Sequence, residues 1–374
     1  MKIELGCYYF PNYHTGDSRN DAFHGAGWSE WEPLRNSIPR FPGHQQPRIP
    51  LWGEEDEKSP QVMARKIDAA SDAGIGVFIF DWYYYNDGPF LERALEEGFL
   101  NAPNRGKMKF CTMWANHNWY DIHPAPLTDR QLLYPGVFTR ETFEKVAQIH
   151  IRNYFSRPEY YTLDGCPYFS IYELALFVQS FGSVAETRRA MEDFRAEVKA
   201  AGFPGVHLNA IVWGAPILPG ESTPKNPTEL AAELGFDSAA SYVWVHHASL
   251  PQPQTPYDYL RQRYFDFWET QIRTSPLEYF PNISVGWDST PRTRPDEVCT
   301  FKGNYPYGPM VIGNTPQEFE TSLRMVKKRL EELNPRHPFA TINSWNEWTE
   351  GSYLEPDTLY KSAYLDAVKA VFKG

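Results

Sequence analysis

Short apolar runs alternate with helical patterns along the whole chain, and this alternation constrains the fold more than any other feature. Strand-like runs fall at residues 3–10, 75–82, 109–114, 168–173, 206–213, 238–244, 283–287 and 339–345. Helical patterns follow them. Ser59-Pro60, Thr255-Pro256 and Thr315-Pro316 read as caps followed by a first-turn proline. Ser183 opens a helix that Gly202 stops, and others are expected near 90–100, 141–155, 228–234 and 358–372. Eight βα units predict a parallel sheet. With 374 residues they predict an α/β fold: a single (β/α)₈ TIM barrel spanning 1–374 with long βα loops. The rival, a doubly wound open sheet, usually carries a glycine-rich phosphate turn after its first strand. Here that position reads Tyr9-Phe10-Pro11-Asn12.

Charge narrows the partners. Lys+Arg is 36 against 47 Asp+Glu, a net charge of −11, which argues against nucleic acid because phosphate binding needs a basic footprint. Neither GxGxxG nor GxxxxGK[ST] occurs, so no nucleotide cofactor is expected. Cys7, Cys111, Cys166 and Cys299 form no CxxC pair. His14, His24, His44, His117, His123, His246 and His247 include no HExxH. No metal or other cofactor is therefore expected. No GxSxG elbow supports a serine hydrolase. No apolar run reaches the ~18 residues of a membrane span. The chain enters a strand at once, without a signal peptide. This leaves the compartment open: cytoplasmic, or periplasmic or secreted if a leader has been removed. Oligomeric state is also open.

A barrel places its active site at the carboxyl ends of its strands, and those ends are loaded with side chains suited to sugars. Tyr9 and Asn12 follow the first strand, and Asp81, Trp82 and Tyr84 the second. Trp114, Asn116, His117 and Asn118 follow the third, Glu173 the fourth and Trp213 the fifth. Tyr242 and Trp244 close the sixth, Trp287 and Asp288 the seventh. The eighth ends Trp345-Asn346-Glu347-Trp348-Thr349-Glu350. Together they describe an aromatic-walled bowl containing carboxylates, a shape that suits a saccharide. Glu347 and Glu350 lie three apart where strand alternation ends, so both can face the bowl. Glycosidic cleavage needs two carboxyls in different protonation states, and burial against tryptophan raises one of them. Spacing alone leaves open that one is salt-bridged and the other solvated.

Asn343-Ser344-Trp345-Asn346-Glu347-Trp348-Thr349-Glu350-Gly351, with Tyr353-Leu354-Glu355-Pro356 after it, resembles the NEWxEG…EP signature of the endo-α-mannosidases, glycoside hydrolase family 99. Gly27-Trp28-Ser29-Glu30-Trp31 and Phe41-Pro42-Gly43-His44-Gln45-Gln46-Pro47 resemble the related bacterial WbsX-type group. So do Gly74-Ile75-Gly76-Val77-Phe78 and Trp114-Ala115-Asn116-His117-Asn118-Trp119. The resemblance implies a metal-independent barrel acting on α-linked, manno- or rhamno-configured oligo- or polysaccharides. Glu347 would be the base and Glu350 the acid. It further implies that the base deprotonates the sugar's 2-hydroxyl, giving a 1,2-anhydro intermediate and net retention. Tyr9, Glu30, Trp31, Asp81, Trp82, Trp114, Asn116, His117, Trp213, Tyr242, Trp287 and Asn346 are the expected substrate-binding residues. The related proteins usually carry Glu where this chain has His117, and His where it has Trp82. Two other readings stand beside the hydrolase: a glycosyltransferase of surface-polysaccharide biosynthesis, and a non-catalytic carbohydrate-binding barrel. The stretch 11–59, holding Trp28, Glu30, Trp31 and Trp52, is expected to fold over the bowl, with Glu30 and Trp31 touching the sugar.

Overall fold

The computed structural model describes residues 1–373. Its centre is a parallel sheet of nine hydrogen-bonded segments occupying eight barrel positions. These are β1 (Glu4–Tyr9), β2 (Val77–Tyr85), β3 (Lys109–Trp114), β4 (Cys166–Ile171), β5 (His207–Ile211), β6 (Ser238–Ala240), β7 and β8 (Phe339–Asn343). The seventh position, β7, is one strand broken in two. Glu278–Phe280 pairs with β6, Ser238 opposite Glu278, while Asn282–Ser284 pairs with β8, Asn282 opposite Thr341. Pro281 stands at the break. It has no N–H to give a ladder, but its carbonyl accepts from the Thr341 amide at 2.9 Å. The chain passing from one half to the other closes the barrel. On the opposite side β1 aligns Gly6 with Val77 of β2 and with Thr341 of β8. A Cβ at Gly6 would meet Phe339 and Ile79 at under 3 Å, so glycine lets these strands pack there.

The helices form where their caps allow. Ser59 accepts from the Val62 amide ahead of Pro60–Ala73, Ser183 from Glu186 ahead of Val184–Ala200, and Thr315 from Glu318 ahead of Pro316–Leu333. Each satisfies an amide that the first turn leaves unpaired. Thr255 makes no such cap, since the helix Tyr257–Thr274 starts after Pro256, and other elements also differ from the sequence reading. The seventh strand lies earlier than 283–287. The sixth ends at Ala240, and Trp244 sits in a short helical turn. After β2 the chain first makes an antiparallel turn, Gly88–Phe90 against Tyr83–Tyr85, and only then a π-helical turn, Ala94–Gly98. Two helices follow β4 rather than one. The first, Leu174–Phe181, is apolar nearly throughout and only eight residues long, so its sequence does not set it apart from the strand before it.

Residues 11–59 carry two short helices, Ser18–His24 and Trp31–Arg35, and pack onto the barrel's active-site face. His44 Nε2 and Gln46 Nε2 both lie 2.8 Å from Asp288 Oδ2. The Arg40 guanidinium donates to Thr293 Oγ1 and to the carbonyls of Arg294 and Glu297. The insertion thus grips residues 288–297, the segment entering the site from β7.

Candidate active site

Beyond β8 the chain makes a small hairpin. Asn346–Glu347 pairs antiparallel with Ser352–Tyr353, and Trp348–Glu350 forms the turn between them. Gly351 closes it at φ +64°, where a Cβ would lie 2.8 Å from that of Asp288. The Glu347 amide donates to Ser344 Oγ at 2.9 Å, and the Asp288 amide to the Glu350 carbonyl at 2.6 Å. This places Glu347 and Glu350 on the wall of one pocket at the carboxyl ends of the strands.

That pocket is narrow, with a cavity volume of about 40 Å³. Phe10, Asp81, Tyr83, Tyr242, Trp287 and Arg292 line it around the two glutamates, with His117, Trp119, His123, Tyr172 and His246. Its remaining wall is apolar: Met113, Ala115, Ile122, Ile217, Leu218 and Val243. A second, roomier hollow of about 510 Å³ adjoins it past Ile217, Leu218 and Trp287.

Arg292 organises the carboxylates. Its Nε donates to Glu30 Oε1 at 3.0 Å, Nη1 to Glu350 Oε1 at 2.8 Å, and Nη2 to Glu347 Oε2 at 3.3 Å. Phe10 lies under the guanidinium, 5.3 Å from ring centre. Tyr305 donates to Glu350 Oε1 at 2.7 Å. The Tyr242 hydroxyl lies 2.9 Å from both Asp81 Oδ2 and Glu347 Oε1. Burial pushes the Glu347 carboxyl well above the usual range, and the Glu350 charge adds to this against Arg292 and Tyr242. Burial also raises Asp81 well above its usual value, and Glu30 above its own despite Arg292. Glu30, Glu347 and Glu350 share one guanidinium and Asp81 has no cation beside it, so the cluster holds more carboxyls than Arg292 can balance. His117 and His123 are held neutral by burial, His123 also by Arg292.

Of the residues singled out in the sequence, Asp81, His117, Tyr242, Trp287, Glu347 and Glu350 come together on the pocket wall. The others stand behind it. Side chains alternate along a strand, so Asp81 and Tyr83 facing inward send Trp82 outward, where it stacks on Tyr84. Trp114 likewise packs against Phe138, and its indole donates to the Tyr84 carbonyl. Tyr9 faces outward onto Phe78 and Phe80. Asn116 clasps the backbone of Glu173, donating to its carbonyl at 2.9 Å and accepting from its amide at 2.8 Å. Asn346 clasps Phe10 in the same way. Trp213 stacks on His246 one layer back. Glu30 is fully buried beneath Arg292, bonded also to Asn12 and Thr349. Trp31 packs on Tyr13 and Trp348 and donates to the Glu55 carbonyl. The Trp345 and Trp348 indoles turn away as well, each donating to Glu355, whose carboxylate pairs with buried Lys66 at 2.6 Å. Sequence reasoning missed Arg292 and Tyr305, which belong to no motif, and weighed His123 and His246 only as metal ligands. It also missed Phe10, Tyr83 and Tyr172, aromatics at strand ends whose inward facing an apolar strand does not announce.

Fold and pocket define a class: a (β/α)₈ barrel with two glutamates in one pocket where its strands end. The chain belongs to the WbsX glycosyltransferase family, whose model matches residues 5–368. The uncharacterized protein WxcX of Xanthomonas campestris pv. campestris strain B100 is 27% identical over 395 residues, covering 99% of this chain and 49% of its own. WxcX of strain ATCC 33913 is equally similar, 27% over 391 residues, covering 99% of this chain and 49% of its own. The chain therefore spans about half the length of the curated relatives it matches. Among solved structures, the GH99 endo-alpha-mannosidase of Bacteroides thetaiotaomicron aligns with a TM-score of 0.61 at 14% identity, covering 99% of this chain and 96% of that one. A glycoside hydrolase-like protein aligns at 0.63 and 16%, covering 99% and 94%. At such identities the fold is what is shared.

Proposed function

We propose that the chain is a carbohydrate-active barrel working as a retaining glycoside hydrolase on α-linked, 1,2-trans manno- or rhamno-configured glycans. The carrying observation is the different setting of the two glutamates around Arg292. Glu350 takes both its bonds, from Arg292 and Tyr305, on Oε1. That leaves Oε2 to present a proton to a leaving oxygen. Glu347 has one oxygen on Tyr242 and the other on Arg292, the environment of a base once the cluster's protons sit elsewhere. Glu347 then removes the 2-hydroxyl proton, the 2-oxygen attacks the anomeric carbon, and water opens the 1,2-anhydro sugar with net retention. The pocket's aliphatic wall suits a C–H-rich sugar face or a C6 methyl.

The test is a panel of mannose- and rhamnose-containing glycans, with products read by mass and anomeric configuration by NMR. The expected result is cleavage with retention. Glu347→Gln is expected to abolish cleavage, and 2-deoxy analogues to bind without turning over. Glu350→Gln is expected to cost ~10²–10⁴-fold on poor leaving groups while sparing activated aryl glycosides. Equal loss on both substrate types removes Glu350 from the acid's role.

The family's description favours a second reading, transfer from a nucleotide sugar. A diphosphate needs cations or a metal. The two adjoining hollows offer only Arg130 and Arg292 among their lining residues, and Arg292 is already engaged by three carboxyls. Thermal stabilisation by nucleoside diphosphates, with sugar transfer and no hydrolysis, would select that reading.

A further inference from the structure

The Tyr242 hydroxyl faces two carboxyl oxygens, Asp81 Oδ2 and Glu347 Oε1, at 2.9 Å each. A phenol has one hydrogen. If both carboxyls were ionised, one contact would set lone pair against lone pair in a buried site. One of the two acids must therefore hold a proton. Their surroundings differ. Glu347 has a cation on its other oxygen, Arg292 Nη2 at 3.3 Å. Asp81 has none among the described residues, and its Oδ1 is buried without a partner. The titratable groups facing Asp81 are Tyr242 from beyond β6, Glu347 and Glu350 from the hairpin after β8, Tyr83 on its own strand, and Cys7 and Tyr8 from β1. No cation is among them.

We propose that Asp81 is the proton holder of the site: Asp81 Oδ2–H donates to Tyr242 Oη, which commits the Tyr242 hydrogen to Glu347 Oε1 and leaves Glu347 ionised. Burial raises both carboxyls, which supports at least one retained proton at neutral pH. In the opposite arrangement, with the proton on Glu347, the base is blocked. Asp81 acts through Tyr242 and is a positioning residue. Its catalytic meaning rests on the hydrolase reading. During the attack Glu347 takes the 2-hydroxyl proton, the 2-oxygen pair bonds the anomeric carbon, the glycosidic pair leaves with the Glu350 proton, and Asp81 keeps its own.

The deciding experiment needs no substrate. Protein carrying ¹³C at Asp Cγ and Glu Cδ is titrated by NMR, with the two signals assigned by Asp81→Asn and Glu347→Gln. A neutral Asp81 and an ionised Glu347 at pH 7 are expected. An ionised Asp81, or a neutral Glu347, overturns the proposal. With a cleavable glycan, Asp81→Asn, which keeps a donor that cannot ionise, is expected to be at least ~10-fold more active than Asp81→Ala. It is also expected to carry the alkaline limb of the pH–rate profile to higher pH than in the native chain. Equal damage in the two variants, or an unchanged limb, counts against Asp81. Should no glycan be cleaved, the hydrolase reading falls while the NMR result still decides where the proton sits.

Discussion

Arg292 makes three directed contacts with three carboxyls, and no other side chain has that geometry. A lysine in its place would keep the charge but offer one point donor instead of a fork. It could serve one glutamate well and would leave the others facing each other. Arg292→Lys is expected to lower kcat by ~10²–10³-fold, the size of losing a preorganised electrostatic contact, with a modest fall in melting temperature. Arg292→Ala leaves Glu30, Glu347 and Glu350 buried without their cation and is expected to cost ~3–5 kcal/mol, measured by urea unfolding. A kcat unchanged in Arg292→Lys would mean that the three contacts are structural only.

At the scale of elements, the wall formed by Ile217 and Leu218 is held by one side chain. Glu221 Oε2 accepts from both their amides, at 2.7 and 2.8 Å, and Oε1 from Tyr172. Burial alone would raise the Glu221 carboxyl. His246, 3.7 Å away, the amides and Tyr172 outweigh burial and hold it below its usual value. A depressed carboxyl stabilises above its unfolded pKa, ~4.3, and this contribution is lost as pH falls through the folded value. Glu221→Gln keeps one oxygen for the two amides but removes the charge that strengthens those bonds, and sets an NH₂ against the Tyr172 hydroxyl. Its expected effects are faster hydrogen exchange at residues 217 and 218, a raised KM at neutral pH, and no further loosening in acid. Native-like exchange in the variant would show that the loop is held by something else. The same scale explains what the sequence made legible. The eight-unit alternation announced the barrel, and the motif after β8 announced the glutamates. The phase of each strand stayed hidden, because a parallel strand is apolar on both faces. Hence Asp81 and its neighbour Trp82 read alike, and only the structure sends one into the pocket and the other under a helix. The insertion misled in another way. Glu30 and Trp31 sit in a sugar-like motif, but one anchors Arg292 and the other packs beneath Trp348.

For the whole molecule, the buried carboxyls make stability depend on pH in a definite direction. Glu30, Glu57, Asp81, Glu173 and Glu347 are all raised, chiefly by burial, and Glu173 is pushed up to about 8 with the Glu221 charge assisting. The folded chain keeps these protons where the unfolded chain, with carboxyls near ~4, has lost them. Their contribution is fully present below the unfolded pKa and is lost as pH rises through the folded values, at about 1.4 kcal/mol per pH unit for each proton. Growing self-repulsion, from a net charge of −11 at pH 7, acts in the same direction. Buried histidines oppose it: His14, His24, His117, His123, His150, His207 and His247 are all lowered, chiefly by burial, so protons taken up by the unfolded chain cost stability as pH falls below ~6.5. Greatest stability is therefore expected where the two trends meet, at about pH 6. Glu173 isolates one part of this. Its Oε1 accepts from the Ser222 amide at 3.2 Å and its Oε2 is buried without a partner. A glutamine keeps the acceptor and removes the titration. Urea unfolding of Glu173→Gln and the native chain should coincide near pH 4, diverge steadily in favour of the variant, and run parallel above about 8. Curves that stay together throughout, or a variant that is the weaker at pH 9, would show that Glu173 ionises in the fold as freely as in the unfolded chain.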